Sequence, residues 1–216
     1  MRNSRNSKIS KIIEVAKQLP FFTLDDLASI ETNRKYLSIL LSRHVKSGNV
    51  VRLKKGMYVT RDYLDRVDKS GRTSIYAEFI SGILYEPSYL SLEYVLHQHG
   101  VMTEMPTAIT VVARKKTASF ATPFGAYQYH SIKPSIFTGF TSKRDGDYII
   151  FRASLAKALF DFLYFRKVNL IDERIIADLR LNLEVFGEND KEELRRYIDL
   201  EGSIRMRNIF KTLWKN

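Results

Sequence analysis

An α+β fold is what the sequence predicts, because helix and strand signals come in blocks rather than in alternation. Three observations carry this. Apolar residues recur at helical spacing up to about residue 46 and then give way to a short hairpin pattern. Between about residues 107 and 153, β-branched and aromatic residues dominate, broken by turn sequences. From residue 154 onward the pattern is helical again. Blocks of this kind argue against a regular βαβ architecture. With 216 residues, 44% of them hydrophobic and including 13 Phe and 12 Tyr, there is material for one large domain or two small ones.

In chain order, residues 8–18 form the first helix, with Ile9, Ile12, Ile13 and Ala16 on one side. Leu19-Pro20 ends it, since proline lacks the amide hydrogen that a helix needs. Thr23 caps a short helix over 24–30, whose first turn carries Asp25 and Asp26, where exposed amides favour negative charge. Thr32 caps a third helix running to about Lys46, with Leu37, Leu40, Leu41 and Val45 as its apolar face. Gly48 supplies the stop. Two short strands follow, over 50–53 and 57–59, joined by Lys54-Lys55-Gly56. Three helices and a basic hairpin within sixty residues make the layout of a winged helix-turn-helix.

Residues 61–73 are polar and read as a connector or linking helix, so the expected domains are 1–60 and 74–216. The second begins with a helix over 75–85, broken by Pro87, and another over 88–100 that ends at Gly100. "TAITVVARKK", "SFATPFGAYQYHSIK" and "IFTGFTSKRDGDYIIFRA" supply the strands of a mostly antiparallel sheet. Their turns are Pro123-Phe124-Gly125 and Arg144-Asp145-Gly146. Helices over 154–165, 172–183, 190–200 and 203–214 complete the domain.

Charge narrows the function. Residues 1–60 hold twelve Lys/Arg against four Asp/Glu, a net +8 of the chain's +11. Such an excess attracts polyanions, nucleic acid first and anionic lipid second. No apolar run approaches the ~20 residues of a membrane span. No apolar stretch follows the basic "MRNSRNSKIS", so a secretory signal is not expected. Cysteine is absent, which excludes disulfides and thiolate metal sites and fits a cytoplasmic protein.

With the apolar face of the third helix inward, Thr32, Asn33, Arg34, Lys35, Ser38 and Ser42 or Arg43 face out or flank the exposed side. A helix fits the major groove, and its N-terminal residues reach base edges. Arg52, Lys54 and Lys55 on the hairpin would meet phosphate, which positions a protein without reading sequence.

Enzyme signatures are weak. His97-x-His99 has i, i+2 spacing, which does not put two ligands on one helix face. There is no phosphate-cradling glycine loop, nucleophile elbow or His-Glu-x-x-His motif, and no metal or other cofactor is expected. Lys157 and Asp161 are one turn apart, so their side chains can meet. They are read on a different side of their helix from the apolar face of Leu155, Leu159, Phe162 and Leu163.

Four stretches in order resemble the AbiEi family, the antitoxins of abortive-infection type IV toxin–antitoxin systems. They are "GNVVRLKKGMYV", "PSYLSLEYVLHQHGVMTEMP", "AITVVARKKTASFATPFGAYQYHSIK" and "ASLAKALFDFLYFRK". The last is similar to the family's "SPEKALLDLLY" helix, with Lys157, Ala158, Leu159 and Asp161 matching and Leu155-Ala156 departing from its Pro-Glu. The resemblance covers about residues 8–168. It implies an N-terminal DNA-binding domain that represses its own operon by binding double-stranded operator DNA. It also implies a non-enzymatic C-terminal domain that counteracts a nucleotidyltransferase-like toxin without a stable complex. Lys157 and Asp161 are the residues to which that antitoxic role would attach. Two other classes stay open: a nucleic-acid-processing enzyme with its site in 74–216, and a module that binds a protein partner through its C-terminal helices.

Overall fold

The computed structural model describes residues 2–215, with side chains from residue 9 onward. The side chains of Arg2, Arg5 and Lys8, counted above in the basic N-terminus, lie outside the described ones. The architecture is α+β, with helices first, then strands, then helices. Two compact units divide between Ala77 and Glu78.

The first unit opens with α1 (Arg2–Gln18), which buries Ile12 and Ala16. The stretch 24–30 is a run of turns, not the expected helix. Its bonds run three residues back, from Ala28 N to Asp25 O (3.1 Å) and from Ile30 N to Leu27 O (3.0 Å). Asp26 Oδ2 accepts from both Thr23 N (2.7 Å) and Thr23 Oγ1 (2.8 Å), closing a tight turn. These local side-chain bonds compete with the helical pattern. α2 (Arg34–Lys46) is capped by Asn33, whose side chain accepts from Tyr36 N at 3.0 Å. Thr32 is therefore one residue outside the cap, and asparagine, the stronger capping residue, takes the position.

Next come β1 (Val50–Lys54) and β2 (Met57–Thr60), an antiparallel hairpin with an irregular register between Arg52 and Lys54. Gly56 has φ +81°, a turn conformation that side-chain-bearing residues rarely adopt. Phe22 bridges Tyr58 through paired backbone bonds of 2.8 and 2.9 Å. Ile12, Ala16, Phe22, Leu27, Leu37, Leu40, Leu41 and Val50 form one core. Each such side chain larger than alanine contributes roughly 1.5–3 kcal/mol by leaving water. α3 (Arg61–Lys69) starts at Thr60, whose hydroxyl accepts from Tyr63 N at 3.2 Å, and buries Leu64 and Val67. That burial keeps residues 61–69 within the first unit, so the division falls later than residue 60, inside α4 (Thr73–Leu84).

The second unit is built on a six-stranded sheet. Its strands are β3 (Ser88–Leu90), β4 (Ala108–Ala113), β5 (Ala118–Thr122), β6 (Gly125–Ser131), β7 (Phe140–Asp145) and β8 (Tyr148–Ala153). The order is β5-β6-β4-β3-β8-β7. The hairpins β5–β6 and β7–β8 and the pair β3–β4 are antiparallel; β4–β6 and β3–β8 are parallel. β3 falls where the spacing predicts helix, but Ser88–Leu90 sits between β4 and β8, and pairing on both sides overrides a weak helical pattern. α5 (Leu92–Gln98) starts only after it.

α6 (Leu155–Arg166) lies against α5 and against α8 (Glu188–Glu201). α7 (Glu173–Ala177) is shorter than the expected 172–183 helix. It is capped by Asp172, whose Oδ1 accepts from Ile175 N at 2.9 Å. It stops because Arg180 turns to φ +48° and Asn182 N bonds Val101 O at 2.8 Å, pulling the chain away. α9 (Ile204–Leu213) follows Gly202, which has φ +85°.

Candidate nucleic-acid interface

α2 buries Leu37, Leu40 and Leu41 against the first unit's core. The helical spacing leaves Arg34, Lys35, Ser38, Ile39, Ser42 and Arg43 exposed, together with Thr32 and Asn33 before the helix. These outward residues make one solvent-facing surface. Two of them differ from their sequence reading. Asn33 has its side-chain oxygen committed to Tyr36 N, so it shapes the helix start. Arg34 pairs through Nη1 with Asp25 Oδ1 in the turn segment, and that partner raises its pKa further. Ile39, 47% exposed in the middle of this surface, escapes a reading of the sequence alone. Its place between polar neighbours, off the leucine face, is the signal that the helical spacing contained.

The electrostatics of α2 run against helix stability at one end. Its first turn holds Arg34 and Lys35 and no acid. Unsatisfied amides already make that end positive, and a cation there costs about 0.3–1 kcal/mol. Arg43, His44 and Lys46 in the last turn are favourably placed. Asp25 offsets the Arg34 charge there, and phosphate is suited to the same end of the helix.

On the hairpin, Arg52 and Lys55 are exposed and Lys54 is half-buried. Arg52 Nε donates to Lys54 O at 3.3 Å, folding its side chain along the tip.

The second unit brings together residues that the sequence only paired. Lys157 and Asp161 are both fully buried, Nζ to Oδ1 2.6 Å. All of Ala156 to Leu163 is buried, so these two residues do not lie on an open side of α6. Lys157 Nζ also donates to Ile136 O at 2.9 Å and sits 4.5 Å from the Phe160 ring centroid. Asp161 Oδ2 accepts from Ser91 Oγ (2.7 Å) and Tyr89 Oη (3.0 Å). Burial pushes the Asp161 carboxyl above its ordinary pKa and the Lys157 ammonium below its own; their attraction and the two hydroxyl bonds oppose this.

Around this pair, Ser154 Oγ donates to Glu193 Oε1 at 2.6 Å, and Tyr197 Oη donates to the same oxygen. Gly139, at φ +78°, runs so close that a Cβ would lie 2.3 Å from Tyr197 Oη. A second buried acid, Glu78, also escapes the sequence reading. It pairs with Arg152 and accepts from Tyr94 Oη (3.0 Å) and Gln98 Nε2 (2.8 Å).

His97 Nδ1 stands 3.2 Å from Met102 O, a structural contact. Among the described residues no three His, Asp or Glu converge as metal ligands, and no helix is long and apolar enough to cross a membrane.

The first unit thus presents a helix with an outward polar and cationic face, followed by a basic hairpin. Residues 10–61, about a quarter of the chain, match a family described as "Transcriptional regulator, AbiEi antitoxin", which supports an AbiEi-type antitoxin. The match contains the first of the four stretches that carry the resemblance, and the other three lie beyond its end. No curated protein matches the chain.

Proposed function

We propose that this chain is a DNA-binding antitoxin that represses its own operon. The observation that carries the reading is the outward face of α2, whose first turn places Arg34 and Lys35 without an acid, inside a segment that matches an antitoxin regulator family. In this reading residues 1–60 are a winged helix-turn-helix. α2 enters the major groove with Arg34, Lys35, Ser38 and Arg43 toward base edges and flanking phosphates. Arg52, Lys54 and Lys55 of the hairpin hold phosphate, and Thr32 and Asn33 lie at the helix start beside the backbone. Residues 74–216 are the antitoxic domain, non-enzymatic, with Lys157 and Asp161 maintaining its interior. It counteracts a nucleotidyltransferase-like toxin of an abortive-infection system in the cytoplasm without forming a stable complex.

The test is fluorescence anisotropy of the full chain on duplex from upstream of its own gene and on random duplex, over a salt series. The expected result is tighter binding to the former, with a log–log salt slope of roughly 0.9 per phosphate neutralised. Salt-insensitive binding, or equal affinity for both duplexes, overturns it.

A further inference from the structure

Within the second unit, the segment after β6 and the strands β3, β7 and β8 border an open cavity of about 240 Å³. Phe137, Phe140 and Phe151 line it, together with Gly82, Glu86, Pro87 and Ser88. Pockets for drug-sized ligands run roughly 300–1,000 Å³, so this one suits a single planar ring system. Its rings meet edge to face: Phe137 and Phe140 at 5.1 Å and 63°, Phe140 and Phe151 at 6.2 Å and 78°. The other face of Phe140 is already stacked on Tyr89, at 4.4 Å and 13°. Phe151 is 40% exposed and Ile149, two residues earlier on the same side of β8, is 44% exposed.

Three polar features frame this apolar surface. The Arg114 guanidinium lies 6.0 Å from the Phe137 centroid, held near the cavity by the bond from Arg114 N to Pro87 O. Arg144 is exposed on β7 directly across from Ile149. The Ser88 hydroxyl, in a residue only 5% exposed, has no hydrogen-bond partner among the described residues. An aromatic slot with Glu86 and one unused hydroxyl in its wall and two arginines near by matches a base that carries phosphate: a π-face to stack, amino and carbonyl edges for Glu86 and Ser88 to bond, and an anion kept to the arginine side. An apolar side chain of a protein partner would leave both the hydroxyl and the two arginines unused. The geometry points to a site in the second unit that takes an unpaired nucleobase, stacked among Phe137, Phe140 and Phe151, with its phosphate toward Arg114 or Arg144. This goes beyond the operator reading and does not depend on it.

The test uses the full chain and three labelled probes: a single strand of about ten nucleotides, within the usual site size, the same strand made abasic, and a duplex. The base-bearing strand is expected to bind roughly 5- to 150-fold tighter than the abasic one, the range that base stacking supplies. Phe151→Ala removes that difference, Phe151→Trp keeps it, and duplex affinity is unchanged in both. Should Phe151→Ala fail to fold, Arg114→Ala at the surface weakens the base-bearing strand while leaving adenosine binding unchanged. Competition by adenosine monophosphate assigns the site to a free nucleotide; competition by the strand alone assigns it to single-stranded nucleic acid. Equal affinity of the wild-type protein for the two strands, or an undiminished difference in Phe151→Ala, overturns the inference and leaves the cavity to a protein side chain. Loss of duplex binding alone bears on the operator reading, not on this site.

Discussion

At the scale of single residues, burial reverses what Lys157 can be asked to do. Spacing alone shows that Lys157 and Asp161 can pair, and they do. Their burial was not legible, because Tyr89, Ser91 and Ile136 reach them from segments far away in sequence. Lys157→Ala strands a carboxylate without its cation, and breaking such a pair costs about 3–5 kcal/mol. Urea unfolding should show that loss, and the double substitution Lys157→Met with Asp161→Leu should cost less than the sum of its parts. Gly139→Ala is expected to be as damaging, since both its φ and the nearness of Tyr197 exclude a Cβ. His130 sets a pH dependence. Burial holds its pKa below the ordinary value; Glu93 opposes this and Arg166 adds to it. The folded state therefore resists a proton that the unfolded chain accepts near pH 6.5. Its contribution is present above that pH and lost as pH falls. The Tm should drop from about pH 7.5 to about 5.5, and His130→Gln should drop less.

Among the elements, α2 and the hairpin were legible down to their turns, because Gly48, Gly56 and the leucine spacing are local signals. Residues 24–30, read as a helix, and the first residues of the helix read over 88–100 were not. In the first a side-chain turn competes with the helix, and in the second the sheet claims the segment. On the proposed function the interface residues divide their labour. Lys54→Ala and Lys55→Ala should weaken binding to every duplex alike. Arg34→Ala, which on that reading takes away a donor to a base edge, should instead cost roughly 1–3 kcal/mol of preference for the operator. Asn33→Ala belongs to a third kind. It removes the cap, so about 1 kcal/mol of helix stability should go, and affinity should fall for operator and random duplex together. Competition between the two duplexes, read beside a thermal melt, separates the three. Loss of discrimination in Asn33→Ala with an unchanged melt would place its amide on a base instead.

For the molecule as a whole, the prediction is separability. The two units have their own interiors, one around Leu37 and Leu41, the other around the buried pair on α6. On the proposed function, a chain of residues 72–216 should protect cells from the toxin while failing to repress a promoter reporter. A folded chain of that length without protection would show the two activities to be coupled. The order of helix, strand and helix blocks was legible because it needs only composition and period. The placement of the division was not, since α3 looks like a polar connector until Leu64 and Val67 are seen to be buried.

The parallel pairing of β3 with β8 has a consequence for synthesis. Leu90 has to wait for Arg152, about sixty residues later, before that side of its strand is satisfied. At ~5–20 residues per second this is roughly 3–12 s on the ribosome. All residues of the first unit, which ends at Ala77, are made before that interval begins. A nascent chain thus carries a first unit with all its residues made while the second is still an open sheet; on the proposed function, abundance of the newborn protein would register at the operator before it registers against the toxin.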